Sequence, residues 1–423
     1  MDDSSNTLFG AAQSSARMPK QQRSQETREK ITRAAIAILA EVGVAGLSHR
    51  IVARRANVSL SATTYYFSSK ADIVAAAAAM VLDHYSDAFS GMATRIRAGE
   101  SRIPSFCDFA IRRVQNSSGS YRNGVLSWGE ISLDAVRNDE SLRLTREWHN
   151  RLKLLWTDIA YALNIADAPE TAQSGIDLVV GLLFMSIGLH LNAEQIGLLL
   201  RGEDNPFGSW SRSYSDGTAA IEKKRGFSKA ERTRRALIDT AIQILISDGA
   251  AALSHRSIAA RAGVANTTPS YYFAGIDDIL RIAQTELFES SKDRYRAAMV
   301  DFDFKNADMQ QIIDVTNVIF VREVTEHGQR NLASYTIWIE AARRADLKQM
   351  VWSAVADQCE AWNDLIAPLS KHHRPLDGLL LQALFIGKSI RILSTGARTA
   401  DLVAARGEFA RDIRQIVEGR YWM

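Results

Sequence analysis

The chain carries the same text twice at one fixed spacing. Thr27-Arg28 recurs as Thr233-Arg234, Leu47-Ser48-His49-Arg50 as Leu253-Ser254-His255-Arg256, and Tyr65-Tyr66-Phe67 as Tyr271-Tyr272-Phe273. Between 27–74 and 233–280, 21 of 48 positions are identical without a gap, and the offset of 206 still relates Trp156 to Trp362 and Gly181 to Gly387. A repeat of a few tens of residues would build a solenoid. A period of 206 residues instead calls for two whole globular units in one polypeptide, each long enough to bury a core of its own.

Bulk properties narrow the class. Hydrophobic residues make up 46% and charged residues 23%, as in an ordinary water-soluble globular protein. The longest nearly apolar stretch, Leu178–Leu191, has 14 residues and is too short to span a bilayer. The first 22 residues are polar, lack a signal-peptide core and read as a disordered arm. Cys107 and Cys359 fall at non-equivalent places in the two repeats, so no disulfide framework is implied. A cytoplasmic location is expected, with no membrane partner. Net charge is +3, but 17–75 carries +6 and 222–281 carries +4, leaving −7 elsewhere. Positive charge concentrated on the repeated segments is what phosphate-facing surfaces need. Basic residues that merely solvate helices would give the same count, so charge alone decides nothing.

Apolar residues recur at helical spacing, and strand-like alternation is almost absent. Ile31, Ala34, Ala35, Ile38, Leu39 and Val42 form one stripe, and Leu237, Ala241, Ile244 and Leu245 form its counterpart. Gly43 and Gly249 follow as stops, and Ser228–Glu231 opens the second stripe as a capping box. The expected fold is all-α: two tandem units, each with an N-terminal helix-turn-helix and a helical body. The segments are an arm at 1–22, a first head at 23–75, a first body at 76–201, a linker at 202–227, a second head at 228–281 and a second body at 282–423. Breaks in the first body leave helices near 104–115, 124–137, 141–163 and 170–191. The second body repeats them and adds a C-terminal helix near 399–418.

A helix-turn-helix needs a bracing helix, a tight turn and a short helix offered to the major groove. Ser48 caps the first helix, and the turn falls at Asn57, a residue tolerant of left-handed backbone. Its counterpart is Gly263, for which that backbone is unstrained. The reading helix spans 60–66, or 266–272, with a cap available at Ser59 or Asn266. Small hydroxyls and methyls suit base edges and phosphates. The candidate DNA-contacting residues are Ser48, Arg50, Ser59, Ser61, Thr63, Thr64 and Tyr65 in the first head. In the second they are Ser254, Arg256, Thr267, Thr268, Ser270 and Tyr271. Tyr66 and Phe67 read as core, locking the reading helix in place.

The segment HRIVARRANVSLSATTYYFSSKADIV, with its second copy HRSIAARAGVANTTPSYYFAGIDDIL, resembles the DNA-binding signature of TetR-family transcriptional regulators. The resemblance covers both heads; the helical remainders share the family's length and texture without its signature. It implies an all-helical regulator that works as a dimer, with two C-terminal helices per protomer at the interface and a ligand pocket in each body. Here the dimer would be intramolecular, and a second round of pairing between chains is left open. The resemblance places Lys70 where the family's lysine touches a phosphate. The second copy has Ile276 there, and the reading helices differ, so the operator should have two unlike half-sites.

For the bodies, Trp128, Trp148, Met185, Trp338, Trp352 and Phe385 are the candidate pocket residues, and their chemistry suits a hydrophobic or aromatic effector. Core packing explains aromatic residues on helices equally well. The strictly equivalent pair Trp156 and Trp362 reads as structural. Gly181 and Gly387, inside long helices at a cost of roughly 1 kcal/mol, imply either a close helix crossing or a bend beside a pocket. No phosphate loop, metal-ligand spacing or nucleophile motif is present, so neither an enzyme nor a cofactor is expected. The leading function is a small-molecule-responsive repressor binding double-stranded DNA. Two alternatives remain: a sequestering protein with degenerate heads, and a non-specific architectural DNA binder whose affinity collapses with salt.

Overall fold

The computed structural model describes residues 20–119, 121–202, 228–298, 300, 302–303 and 306–420. Residues 1–19 of the expected arm and 203–227 of the expected linker lie outside them; residues 20–22 belong to the first helix, not to an arm. Among the described residues the structure is all-helical, with eighteen α-helices. In the first half these are α1 Lys20–Gly46, α2 His49–Ala56, α3 Leu60–Tyr66, α4 Lys70–Arg97, α5 Phe106–Ser118, α6 Arg122–Asp134, α7 Asp139–Ala162, α8 Ala168–Gly188 and α9 Ala193–Leu200. In the second they are α10 Lys229–Ser247, α11 His255–Ala262, α12 Thr268–Tyr272, α13 Ile276–Ala298, α14 Met309–Thr325, α15 Gly328–Arg343, α16 Lys348–Ile366, α17 Pro375–Ser394 and α18 Thr399–Val417.

The spacing of 206 survives in the structure: α4 and α13 begin at 70 and 276, α9 and α18 at 193 and 399. The C-terminal helix is therefore not an addition to the second half. It is the long version of α9, which lies beyond the expected segment at 170–191, where no helix is expected. Each head has a small core of its own, built on the predicted stripes: Ile31, Ala35, Ile38 and Leu39 in one, Leu237, Ala241, Ile244 and Leu245 in the other. A single continuous core runs through both bodies.

At its centre α8 packs along α17, and α15 and α6 lean on the pair. Both helices are apolar around most of their circumference, as helices buried on all sides must be. By length and composition α8 could cross a membrane, but 94% of that window is buried inside the protein. Gly181 and Gly387 mark the point of closest approach. A methyl group on Gly181 would overlap the Ala383 carbonyl oxygen, and one on Gly387 would overlap that of Asp177. Residues 177 and 383 are themselves 206 apart, so the contact is isologous, as at a two-fold dimer interface. Close crossing, rather than a bend, accounts for the two glycines.

A second reciprocal contact ties each body to the other half's head. Arg343, at the end of α15, donates to the carbonyls of Leu39 (3.1 Å) and Ala40 (2.8 Å) and pairs with Glu130. Its equivalent, Arg137, donates to the Leu245 carbonyl at 3.4 Å, and Leu245 is the equivalent of Leu39. One interface feature has no mirror image. Buried Asp177 of α8 takes Lys388 Nζ at 3.0 Å and Arg391 Nε at 2.7 Å, both from α17, while Glu408 of α18 closes on both cations at 2.6 Å. Burial pushes the Asp177 carboxyl up, but the two cations outweigh it and hold the group below its usual range. The equivalents of Asp177, Lys388 and Arg391 are Ala383, Leu182 and Met185, which can make no ion pair.

Candidate nucleic-acid interface and ligand cavity

Each reading helix is presented by a short, well-capped scaffold. Ser48 accepts from the Ile51 amide at the start of α2, and α2 ends on Asn57 at φ 52°, ψ 51°, inside the left-handed region. In the second head Ser254 exchanges hydrogen bonds with Ser257 in a capping box, and Gly263 takes φ 67°, ψ 33°. The two turns are alike in backbone though built from different residues. Phe67 and Phe273 are buried behind the reading helices, and Arg28 and Arg234 lie over their rings at 5.6 and 5.2 Å. Tyr66 is half-buried against its head's core, and its hydroxyl donates to Ser24 Oγ at 3.1 Å.

On α3 Leu60, Ser61, Thr64 and Tyr65 are exposed, the last at 81%, and Ser61, Thr64 and Tyr65 are the polar ones. Thr63 is corrected: it is fully buried, with its hydroxyl donating to the Leu60 carbonyl at 2.8 Å, so it cannot read a base. The helical period explains this, because positions 61, 64 and 65 share one face and 63 lies opposite. Ser59 caps α3 through the Ala62 amide and sits 2.9 Å from Ser61 Oγ. In the second head Thr267, just before α12, and Ser270 and Tyr271 on it are exposed, the same three positions of the repeat. Thr268 is half-buried, and buried Pro269 fills the place of Thr63. This helix is shorter than expected: it begins at Thr268, and neither Asn266 nor Thr267 caps it through a side chain. Ser270 Oγ lies 3.0 Å from His255 Nδ1.

Ser48 and Ser254 spend their hydroxyls on capping, while Arg50 and Arg256, two residues on, stand exposed. Lys70 is half-buried at the start of α4. It donates to the Ala45 carbonyl at 3.2 Å, and partial burial lowers its pKa against the opposing pull of Asp134. An ammonium has three donors, so two remain for a phosphate. Ile276 instead packs against the second head's core.

Two equivalent cavities inside the bodies, among the described residues, differ greatly in size. One, about 460 Å³, lies in the second half among α13–α17 and is lined by Trp338, Phe385 and Trp362, the last read above as structural. The other, about 60 Å³, lies in the first half beside Trp128 and Trp148. Met185 and Trp352 are buried in the core and line neither cavity. Sequence reasoning missed the polar lining of the large cavity. There Trp362 Nε1 donates to Gln382 Oε1 at 2.9 Å, and Gln382 Nε2 donates to Gln358 Oε1 at 2.6 Å. Polar residues scattered over separate helices leave no local pattern; only comparison of the two copies could have exposed them.

A capped bracing helix, a left-handed turn and an exposed three-residue face define a DNA-binding helix-turn-helix. Residues 31–77 match the family described as bacterial regulatory proteins, tetR family. This head is a TetR-family helix-turn-helix. The chain is 31% identical over 126 residues to an uncharacterized HTH-type transcriptional regulator of Mycobacterium bovis and to two of Mycobacterium tuberculosis. The match takes in 30% of this chain and spans 61% of the length of those relatives. Among solved structures, the multidrug binding protein EbrR complexed with imidazole is similar at 27% identity, over 41% of this chain and 92% of that one, with a TM-score of 0.30.

Proposed function

We infer that the chain is a sequence-reading transcriptional regulator that brings both DNA-binding heads to the operator in one polypeptide and is released by a small molecule. The observation that carries this is the recurrence of one exposed face, Ser61, Thr64 and Tyr65 against Thr267, Ser270 and Tyr271, on helices held by matching turns. Hydroxyls at these positions donate to or accept from base edges and phosphates, and the exposed tyrosines reach the backbone. The isologous crossing at Gly181 and Gly387 supports an intramolecular pseudo-dimer, and the unlike faces support an operator with two unlike half-sites. The cavity of about 460 Å³ is of ligand size and supports control by an effector. The role is binding rather than catalysis, and repression follows from occupying the operator.

A footprint of the full chain on the DNA upstream of its own gene, backed by selection from random sequence at physiological salt, tests the reading. Two unlike protected half-sites, roughly one helical turn apart, with one chain bound, are expected. Thr64→Ala should weaken the first half-site and Ser270→Ala the second. Protection with no sequence preference, vanishing at moderate salt, would instead favour the architectural binder. A single protected half-site would reduce the second head, with its Ile276, to scaffold.

A further inference from the structure

The two cavities occupy the same place in the two halves. Tyr85 is the equivalent of Ser291, Trp128 of Ser334, Leu152 of Gln358, Trp156 of Trp362 and Ile176 of Gln382, and each of these residues lines its own half's cavity. In the first half the large residues close the space. Tyr85 and Trp128 pack on Trp148 with ring centroids 6.1 and 6.0 Å apart, and about 60 Å³ is left. That volume is well below the roughly 300 Å³ at which small-molecule pockets begin. In the second half, serines at the two bulky positions leave about 460 Å³.

We propose that the chain takes one effector rather than two: an uncharged, largely aromatic molecule with a hydrogen-bond acceptor, seated in the second half's cavity. This rests on the reading of the chain as a ligand-responsive regulator and narrows it. Phe288, Tyr295, Tyr335, Trp338, Trp362 and Phe385 supply aromatic walls. Among the described residues the only charged lining ones, Lys292 and Asp357, neutralise each other at 2.8 Å, so a charged ligand would be desolvated without a partner. Donors are available: the Gln358 amide ends the hydrogen-bond chain from Trp362, and the buried Trp338 indole N–H has no acceptor among the described residues. One site also suffices to address both heads. The wall helix α13 leads directly from the second head, and the wall helix α15 ends in Arg343, which holds the Leu39 and Ala40 carbonyls of the first.

Fluorescence titration of the full chain with 6-propionyl-2-(dimethylamino)naphthalene, an uncharged aromatic probe with a ketone acceptor, tests this. The anionic naphthalene 1-anilinonaphthalene-8-sulfonate serves as the charge control. The neutral probe should saturate at one per chain and quench tryptophan emission, and the sulfonate should bind at least about tenfold more weakly. Ser334→Trp, which installs the first half's residue, should abolish binding, and Tyr85→Ser with Trp128→Ser should raise the stoichiometry to two. Gln382→Ile, which removes the polar chain and is the gentler change for folding, should weaken binding about tenfold. Saturation at two probes per wild-type chain, no saturable binding, or full binding by folded Ser334→Trp would each overturn the proposal. Two probes on a chain with a normal footprint would leave the regulator reading intact. One probe on a chain with no footprint would sink that reading and spare this one.

Discussion

At the crossing of α8 and α17 the backbones of the two halves are interchangeable: Gly181 meets the backbone of residue 383 as Gly387 meets that of residue 177, although their side chains differ, Ala383 against Asp177. Away from that point they are not. His149 of α7 is matched by Val355, Asn57 by Gly263, Lys70 by Ile276, and the bulky pair Tyr85 and Trp128 by two serines. The contrast follows from what each position must satisfy. A residue on the pseudo-two-fold contact faces its own counterpart's neighbourhood, so a change there strains both halves at once. A residue facing DNA, or filling one body, answers to one half alone. In a homodimer every substitution appears twice, whereas here each half can change separately. The one-sided network of Asp177, Lys388, Arg391 and Glu408 depends on that freedom.

The largest effect should come from breaking the symmetric point. In Gly387→Ala or Gly181→Ala the new methyl meets a carbonyl oxygen of the opposing helix, and backbone cannot swing aside as a side chain can. Each should cost on the order of 3 kcal/mol, the upper end for overpacking, despite gaining roughly 1 kcal/mol in helix propensity. Thermal or urea unfolding measures both. Equal losses are expected, and full tolerance at either glycine would refute the isologous crossing.

A smaller but pH-dependent difference separates His149 from Val355. Burial, reinforced by Arg391 and opposed by Asp177, lowers the His149 pKa to about 4, and neither ring nitrogen has a hydrogen-bond partner among the described residues. The folded state keeps the ring neutral, while the unfolded chain takes a proton near pH 6.5. Stability from this group is therefore complete above about pH 6.5 and is lost as pH falls towards 4, by about 3 kcal/mol in all. His149→Val should flatten the stability curve between those limits relative to the parent chain. Comparing the two chains matters because buried Glu130 and Asp412, whose pKa values are raised mainly by burial, titrate in the opposite sense. An unchanged slope would mean that His149 takes up its proton at the same pH in the folded and unfolded chains, so that burial does not hold the ring neutral.

The two turns offer a test of about 1 kcal/mol. Gly263→Ala forces a Cβ into left-handed backbone, at a cost of roughly 1–2 kcal/mol, whereas Gly263→Asn, copying the first head, should be tolerated. Asn57→Ala should cost a similar amount, and Asn57→Gly little. Melting of the variant chains decides it; a harmless Gly263→Ala would remove the turn from its assigned place.

Much of this was legible because local rules governed it. The stripes of the two heads, the caps at Ser48 and Ser228 and the turn at Asn57 each follow from a few neighbouring residues. Thr63 was misjudged because a seven-residue helix shows its faces only once its roll against the core is known, and the hydroxyl suggested exposure where a hydrogen bond to Leu60 allows burial. The cavity was half legible. Aromatic character singles out Trp338 and Phe385, while the match with Trp156 makes Trp362 look structural. A matched residue can line a filled site in one half and an open one in the other, and only packing reveals the volume. Ser291 and Ser334, which hold that volume open, have no signal of their own.

The smallest expected effect lies at the heads, where Lys70 faces Ile276. A lysine on a phosphate releases about one counterion, so the slope of log affinity against log salt changes by about 0.9 per contact. Lys70→Ile would make the first head like the second, and between 50 and 200 mM salt should reduce the affinity loss by about threefold. The half-burial of Lys70 and its bond to Ala45 place its ammonium at the head's surface, short of free extension into solvent. Ile276→Lys should steepen the slope by the same amount if the start of α13 meets DNA as the start of α4 does. Salt titration of operator binding for the two variants therefore reads each head in isolation. Matching, opposite shifts would mean that both heads sit on the backbone in one geometry. A shift from Lys70 alone would mean that the second head touches the operator without closing onto its phosphates, and the unlike reading faces would then have unlike docking to match.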